Sequence, residues 1–137
     1  MKISESANQR IATFEAALSL TNNHSRENLL FAGVDLGTAY IVTAVVDHRG
    51  SPLAGVLTRS QYSIRDGLVL DYLGAVNILR RQVDVLRKAG FSIRSAAAAY
   101  PPGTIGQNAR VFGNVLAAAG MDVTGLIDEP TAASMVL

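Results

Sequence analysis

The chain has no cysteine and only two histidines, His24 and His48. Without cysteine there is no disulfide scaffold, no thiolate catalysis and no cysteine-ligated metal. Two histidines are too few for a histidine-based zinc site. Charge is scarce as well: 17% of residues are charged and the formal net charge is +1. That balance gives no electrostatic case for nucleic acid or an anionic membrane as a partner. No apolar run approaches the roughly 18 residues of a membrane span, and "MKISESANQR" lacks the basic-then-apolar build of a signal peptide. A soluble, cytoplasmic protein is expected. Against these absences stand 137 residues that are 49% hydrophobic, enough to bury the core of one domain.

Residues 5 to 20 carry Ile11, Phe14 and Leu18 at helical spacing, with Ala17 beside them, so a short amphipathic helix is expected. The polar run "TNNHSREN" then reads as a linker, which makes residues 1–28 an appendage to a domain over 29–137. The helix could dock on the domain's own surface, or lay its apolar stripe into a partner's groove. It could also serve as an encapsulation tag.

Three strands are expected next, over Leu29 to Leu36, Tyr40 to Asp47 and Leu53 to Ser60, joined by short turns as an antiparallel meander. The period then changes. Tyr72, Val76, Leu79, Val83 and Leu86 step by four and three along one helix face, with Asp71 as N-cap and Gly90 as stop. Arg80, Arg81, Asp84, Arg87 and Lys88 fall on the opposite, solvated face. "FSIRSAAAAY" supplies a fourth strand, small and apolar on both faces, as suits a central strand beneath helices.

Thr104 and Gln107 then have capping-box spacing for a second helix, with Val111, Phe112, Val115, Leu116 and Ala119 on its core face and Gly120 at its end. "MDVTGLI" reads as a fifth strand, and "DEPTAASMVL" opens a third helix with Pro130 in its first turn. A meander extended by two right-handed crossovers predicts an α/β fold: a mixed five-stranded sheet of order 3-2-1-4-5 with helices on its faces.

The usual phosphate loops GxxxxGK[ST] and GxGxxG are missing, as are HExxH and GxSxG. Three turns remain. In the expected order strands 1, 4 and 5 are parallel neighbours, so "DLGT" (Asp35–Thr38), "YPPG" and "DEPT" gather at one sheet edge, where α/β sheets bind ligands. Asp35 stands in an apolar strand, and a buried charge needs a partner or a task. The glycine turn after it lets backbone N–H groups approach an anion, with the Thr38 hydroxyl as a further donor. Asp35 could hold magnesium through water. Asp128 and Glu129 open a helix, where a carboxylate is stabilised or a phosphate attracted, and Glu129 could orient or deprotonate a water. Taken singly, Asp35 could simply cap the turn to Gly37 and Asp128 could simply cap its helix. Three such turns at one edge favour a ligand site.

"GVDLGT" resembles the first phosphate motif of the superfamily that holds actin, sugar kinases and DnaK-type chaperones, and "IDEPTAAS" resembles the chaperones' acidic-Glu-Pro-Thr-Ala-Ala signature. The span from Pro101 to Pro130 matches the chaperone pattern in length and at both ends. With "VDLGT", "RDGLVLDYLGAV", "YPPGT" and "DEPTA" together, residues 30 to 137 resemble the EutJ-type ethanolamine-utilisation family. The resemblance implies a ribonuclease-H-like (actin-like ATPase) half-domain and a nucleotide clasped between two such halves. It places Asp35, Gly37 and Thr38 at the phosphates and magnesium of Mg-ATP, Asp128 beside them, Glu129 at the catalytic carboxylate position and Pro101 at the nucleotide-sensing hinge.

Two departures accompany it. Ala109 stands where the chaperones carry an arginine partnering that proline, with Arg110 one place on. Their phosphate-contacting lysine has no counterpart between Gly50 and Asp71. The resemblance therefore implies slow or absent hydrolysis, or a non-catalytic scaffold. It also implies a chaperone-like role toward enzymes or shell of a bacterial microcompartment. The family's second phosphate loop and adenosine pocket are not in this sequence, so the expectation is the first half of a longer protein. Such a half should bind nucleotide weakly and could form a homodimer through its exposed apolar surface, including "TAASMVL".

Overall fold

A computed structural model describes residues 5–18, 29–60, 64–65, 68–69 and 71–135. The meander forms as β1 (Phe31–Leu36), β2 (Tyr40–Val46) and β3 (Pro52–Arg59), with β2 antiparallel to both neighbours. Asp47 closes the β2–β3 turn: its Oδ1 accepts the N–H groups of Arg49 at 2.8 Å and Ser51 at 2.9 Å. Gly50 passes through that turn at φ 78°, a conformation that costs glycine little. A short hairpin follows, β4 (Ile64–Arg65) and β5 (Leu68–Val69), which the sequence reading left unassigned. β6 (Ser95–Tyr100) and β7 (Asp122–Asp128) then add in parallel to β1. The main sheet has the order β3-β2-β1-β6-β7, which is the expected 3-2-1-4-5 once the hairpin stands apart.

Strand alternation sorts the side chains between two faces. Ala32, Val34 and Leu36 point into the core, and their neighbours Phe31, Gly33 and Asp35 are exposed. Helices α2 (Tyr72–Lys88) and α3 (Gln107–Ala118) cover the core face with Val76, Leu79, Val83 and Leu86 from one and Phe112, Val115 and Leu116 from the other. Burying each such side chain contributes roughly 1.5–3 kcal/mol. β6 shows the same alternation, with Ala96 and Ala98 buried and Ala97 and Ala99 half-buried. The expectation of a strand covered on both faces therefore holds for one face only among the described residues.

The caps divide into agreement and correction. Asp71 caps α2, its Oδ1 accepting the Gly74 N–H at 2.8 Å, and Gly90 leaves that helix at φ 100°. At α3 the Thr104–Gln107 capping box does not form. The helix begins at Gln107 after Gly106 at φ 59°, with no side-chain cap. Gly103 and Gly106 both take positive φ, so the chain turns twice before the helix, and Thr104 is left behind in the turn. Its Oγ1 is buried without a hydrogen-bond partner.

Helix α1 (Glu5–Ala17) lies on β3 rather than projecting from the domain. Phe14 and Leu18 sit over Gly55, where a Cβ would fall 2.6 Å from Leu18 Cδ2 and 3.0 Å from Phe14 Cε2. Gly55 pairs with Ala44, which pairs with Gly33, so α1 occupies the Asp35 side of the sheet at its β3 edge. Ile11 stays at the margin, 42% exposed. The linker over 19–28 lies outside the described residues.

Candidate functional site

Because β1, β6 and β7 are parallel, their C-terminal ends share one edge of the sheet. Asp35 is in register with Ala99, and Ala99 with Ile127, so one strand separates Asp35 from the start of the "DEPT" turn. That is a lateral distance of about 10 Å at the spacing of neighbouring strands. The three turns picked out from sequence are thereby brought together.

The turn after β1 is tight. Gly37 N donates to Tyr40 O at 3.0 Å. A Cβ at Gly37 would stand 2.8 Å from that same oxygen, which leaves room for glycine alone. The same Cβ would be 3.9 Å from Asp35 Oδ1, so the carboxylate lies alongside the turn. Asp35 is not the buried charge its apolar neighbours suggested. It occupies the exposed face of β1, because alternation hands the core to Val34 and Leu36. The protein around the carboxyl still desolvates it enough to raise its pKa above the ordinary value. Thr38 is exposed at the tip.

At the end of β7, α4 (Glu129–Ser134) starts from Asp128. Asp128 Oδ1 accepts the Thr131 N–H at 2.9 Å, and the Thr131 hydroxyl lies 2.8 and 2.7 Å from its two carboxylate oxygens. The Thr131 hydroxyl, then its N–H, hold the Asp128 carboxyl below the usual range. Asp128 is thus a helix cap with both oxygens engaged. Thr131 escaped the sequence reading, although the Asp-x-x-Thr spacing before a helix is a recognisable cap signal.

Glu129, one residue on, behaves differently. Burial raises its pKa, and the charge of Asp35 raises it further. The two carboxylates from separate turns are therefore electrostatic neighbours, although 94 positions apart in sequence. Pro101 opens the third turn, half-buried, with its carbonyl accepting the Thr104 N–H at 3.3 Å.

The edge thus offers a constricted backbone turn, a hydroxyl and two neighbouring carboxylates. Such a pair can hold a hydrated cation through water or take up a proton. Among the described residues no group of three or more His, Asp or Glu side chains could cage a metal.

No family model matches the chain. The ethanolamine utilization protein EutJ of Escherichia coli is 44% identical over 112 residues, 81% of this chain and 39% of that protein. The EutJ of Salmonella typhimurium is 40% identical over 123 residues, 89% of this chain and 43% of that protein. The crystal structure of EutJ from Carboxydothermus hydrogenoformans superposes with a TM-score of 0.85 at 38% identity, over 94% of this chain and 47% of that one. The chain is a EutJ homologue.

It spans less than half the length of the EutJ proteins it matches. MreB 5 of Spiroplasma citri, solved bound to AMPPNP, matches at a TM-score of 0.51 and 17% identity over 75% of this chain and 39% of that one. That likeness shows the fold alone, and with EutJ it gives the half-domain the fold of the actin-like ATPases. Among the described residues of this EutJ homologue, no helix is long and apolar enough to cross a membrane.

Proposed function

We propose that this EutJ homologue is the phosphate-facing half of an actin-fold ATPase that acts in ethanolamine utilisation. The observation that carries the reading is the arrival of Asp35 and Glu129 at the one edge where three parallel strands end. Two carboxylates at one edge, with Asp35 raising the proton affinity of Glu129, invite a cation, and the residues suit hydrated magnesium, which keeps much of its own water. Asp35 would hold the ion through water, and the Gly37–Thr38 turn would face the phosphates. Mg-ATP would supply the phosphoanhydride and its countercharge.

Glu129, whose raised pKa keeps its proton affinity closer to neutrality, would orient or deprotonate a water. Asp128, satisfied by Thr131, would fix the first turn of α4 beside the phosphates. Pro101 would act as the nucleotide-sensing hinge. One wall of a cleft offers few contacts, so this chain alone should bind Mg-ATP weakly or not at all. A full-length EutJ carrying these residues should turn over ATP, and Asp35→Ala should remove most of that activity. Unchanged turnover in the variant would sink the assignment.

A second reading is a non-catalytic scaffold that keeps the fold. It is favoured by the distribution of lysine: the chain has only Lys2 and Lys88. Lys88 ends α2, whose N-terminus at Tyr72 follows the strands' C-terminal edge, so it lies at the far end of the sheet. Calorimetric titration of the full-length protein with ATP separates the two readings, because a scaffold gives no magnesium-dependent heat. The proposed partners under either reading are ethanolamine-utilisation enzymes or the shell of a bacterial microcompartment, met in the cytoplasm. Deleting residues 1–28 should abolish co-localisation with the shell if α1 is the tag. A homodimer would form through exposed apolar side chains of the terminal helix, where Met135 is 71% exposed, and sedimentation showing a monomer at high concentration would reject it.

A further inference from the structure

The β2–β3 turn lies at the end of the sheet opposite Asp35, because β2 runs antiparallel to β1 from Tyr40 at the site edge. There α1 and the turn line a cavity of about 240 Å³ that opens broadly to solvent, with Gln9, Arg10 and Thr13 from the helix and Arg49 to Pro52 from the turn. Its chemistry is one-sided. Arg10, Arg49, Gln9 and Ser51 carry side-chain donors, the Thr13 hydroxyl donates to Gln9 O at 2.7 Å, and among the described residues no carboxylate lines it. Asp47, the nearest acid in the turn, is committed to the N–H groups of Arg49 and Ser51. Among the described residues neither Arg10 nor Arg49 makes a salt bridge.

Arg10 and Arg49 bring two guanidiniums to one concavity, with Asp47 as the acid in the field of Arg49, and two planar forks grip an oxyanion better than two ammonium groups would. Because the cavity opens to solvent, a phosphate held there can carry a substituent that projects outward. We propose that this cavity binds the phosphate group of a small phosphate monoester, gripped between Arg10 of α1 and Arg49 of the β2–β3 turn. Because the donors come from both elements, the ligand also ties α1 to the sheet. The site is separate from the Asp35 edge and does not depend on ATP binding there.

The probes are inorganic phosphate and glycerol phosphate, titrated at constant ionic strength while arginine Nε–H and Ser51 amide resonances are followed by NMR. Glycerol phosphate should give saturable shifts at Arg10, Arg49 and Ser51. Arg10→Gln and Arg49→Gln should each weaken binding by about fivefold or more, while Arg87→Gln, removed from the cavity, should not. Both arginines are exposed, so the variants should fold, and an unchanged melting temperature without ligand verifies it. A linear response shared by all exposed arginines, or unchanged affinity in both cavity variants, would overturn the site. Binding of inorganic phosphate alone would overturn the monoester.

Discussion

The Thr43 hydroxyl donates to Gln82 Oε1 at 2.7 Å inside an otherwise apolar core. Gln82 Nε2 in turn donates to Ile41 O at 2.8 Å and to Thr58 Oγ1 at 2.9 Å. A single side chain of α2 thus satisfies polar groups on β2 and β3, and every atom of this buried amide has a partner. Gln82→Leu should cost about 2–3 kcal/mol, since it strands a hydroxyl and a carbonyl away from water. Urea denaturation measures it. Arg81→Ala, one residue away on the exposed face, should stay within about 0.5 kcal/mol. Equal losses in the two variants would show that the latch contributes nothing.

The seat of α1 depends on a missing side chain. Gly55→Val places carbon where Leu18 and Phe14 now sit, 2.6 and 3.0 Å from the first added atom. The helix should detach while the sheet persists. Hydrogen exchange should quicken across Glu5–Ala17 and remain slow in α2, and protection of α1 at the parent level would contradict this packing.

Asp35 and Glu129 both have pKa values above those of free carboxylates. A group that binds its proton more tightly folded than unfolded favours folding in acid, and that contribution is lost as pH rises through the folded pKa. Asp35→Asn and Glu129→Gln should therefore each stabilise the chain at neutral pH, with the gain vanishing below the ordinary carboxylate range. Asp35→Asn should also lower the pKa of Glu129, leaving only the part that burial raises, which a carboxyl NMR titration reads directly. A Glu129 titration indifferent to Asp35 would remove the proximity on which the proposed site rests.

Asp128 has the opposite sign. Its carboxyl is held below the ordinary value by Thr131, so its contribution is present at neutral pH and fades as pH falls through the lowered pKa. Thr131→Ala removes the hydroxyl from Asp128 but keeps the capping N–H, so it should loosen the first turn of α4 only slightly, and less than Asp128→Ala, which removes the cap itself. α4 buries no residue, so the effect should be local. Amide exchange over Glu129–Ser134 should rise while the melting temperature barely moves, and a large global loss would assign Thr131 a role in the core.

The sequence by itself determined the order of the main elements, the order of the five-stranded sheet and the edge at which the three turns end. Those follow from period, turn residues and the handedness of crossovers, which act over a few residues or by topology alone. It also marked Asp71, Gly90 and Gly120, because caps are local chemistry. Tertiary structure decided the rest. Alternation put Asp35 on the exposed face of its strand, and the approach of β7 to β1 through β6 gave it Glu129 as a neighbour. Two positive-φ glycines took Thr104 away from the helix it was expected to cap. Gln82 looked polar on a helix and proved central, because only packing against β2 and β3 brings it partners. Each of these outcomes turns on distances between residues far apart in the chain, which periodicity does not encode.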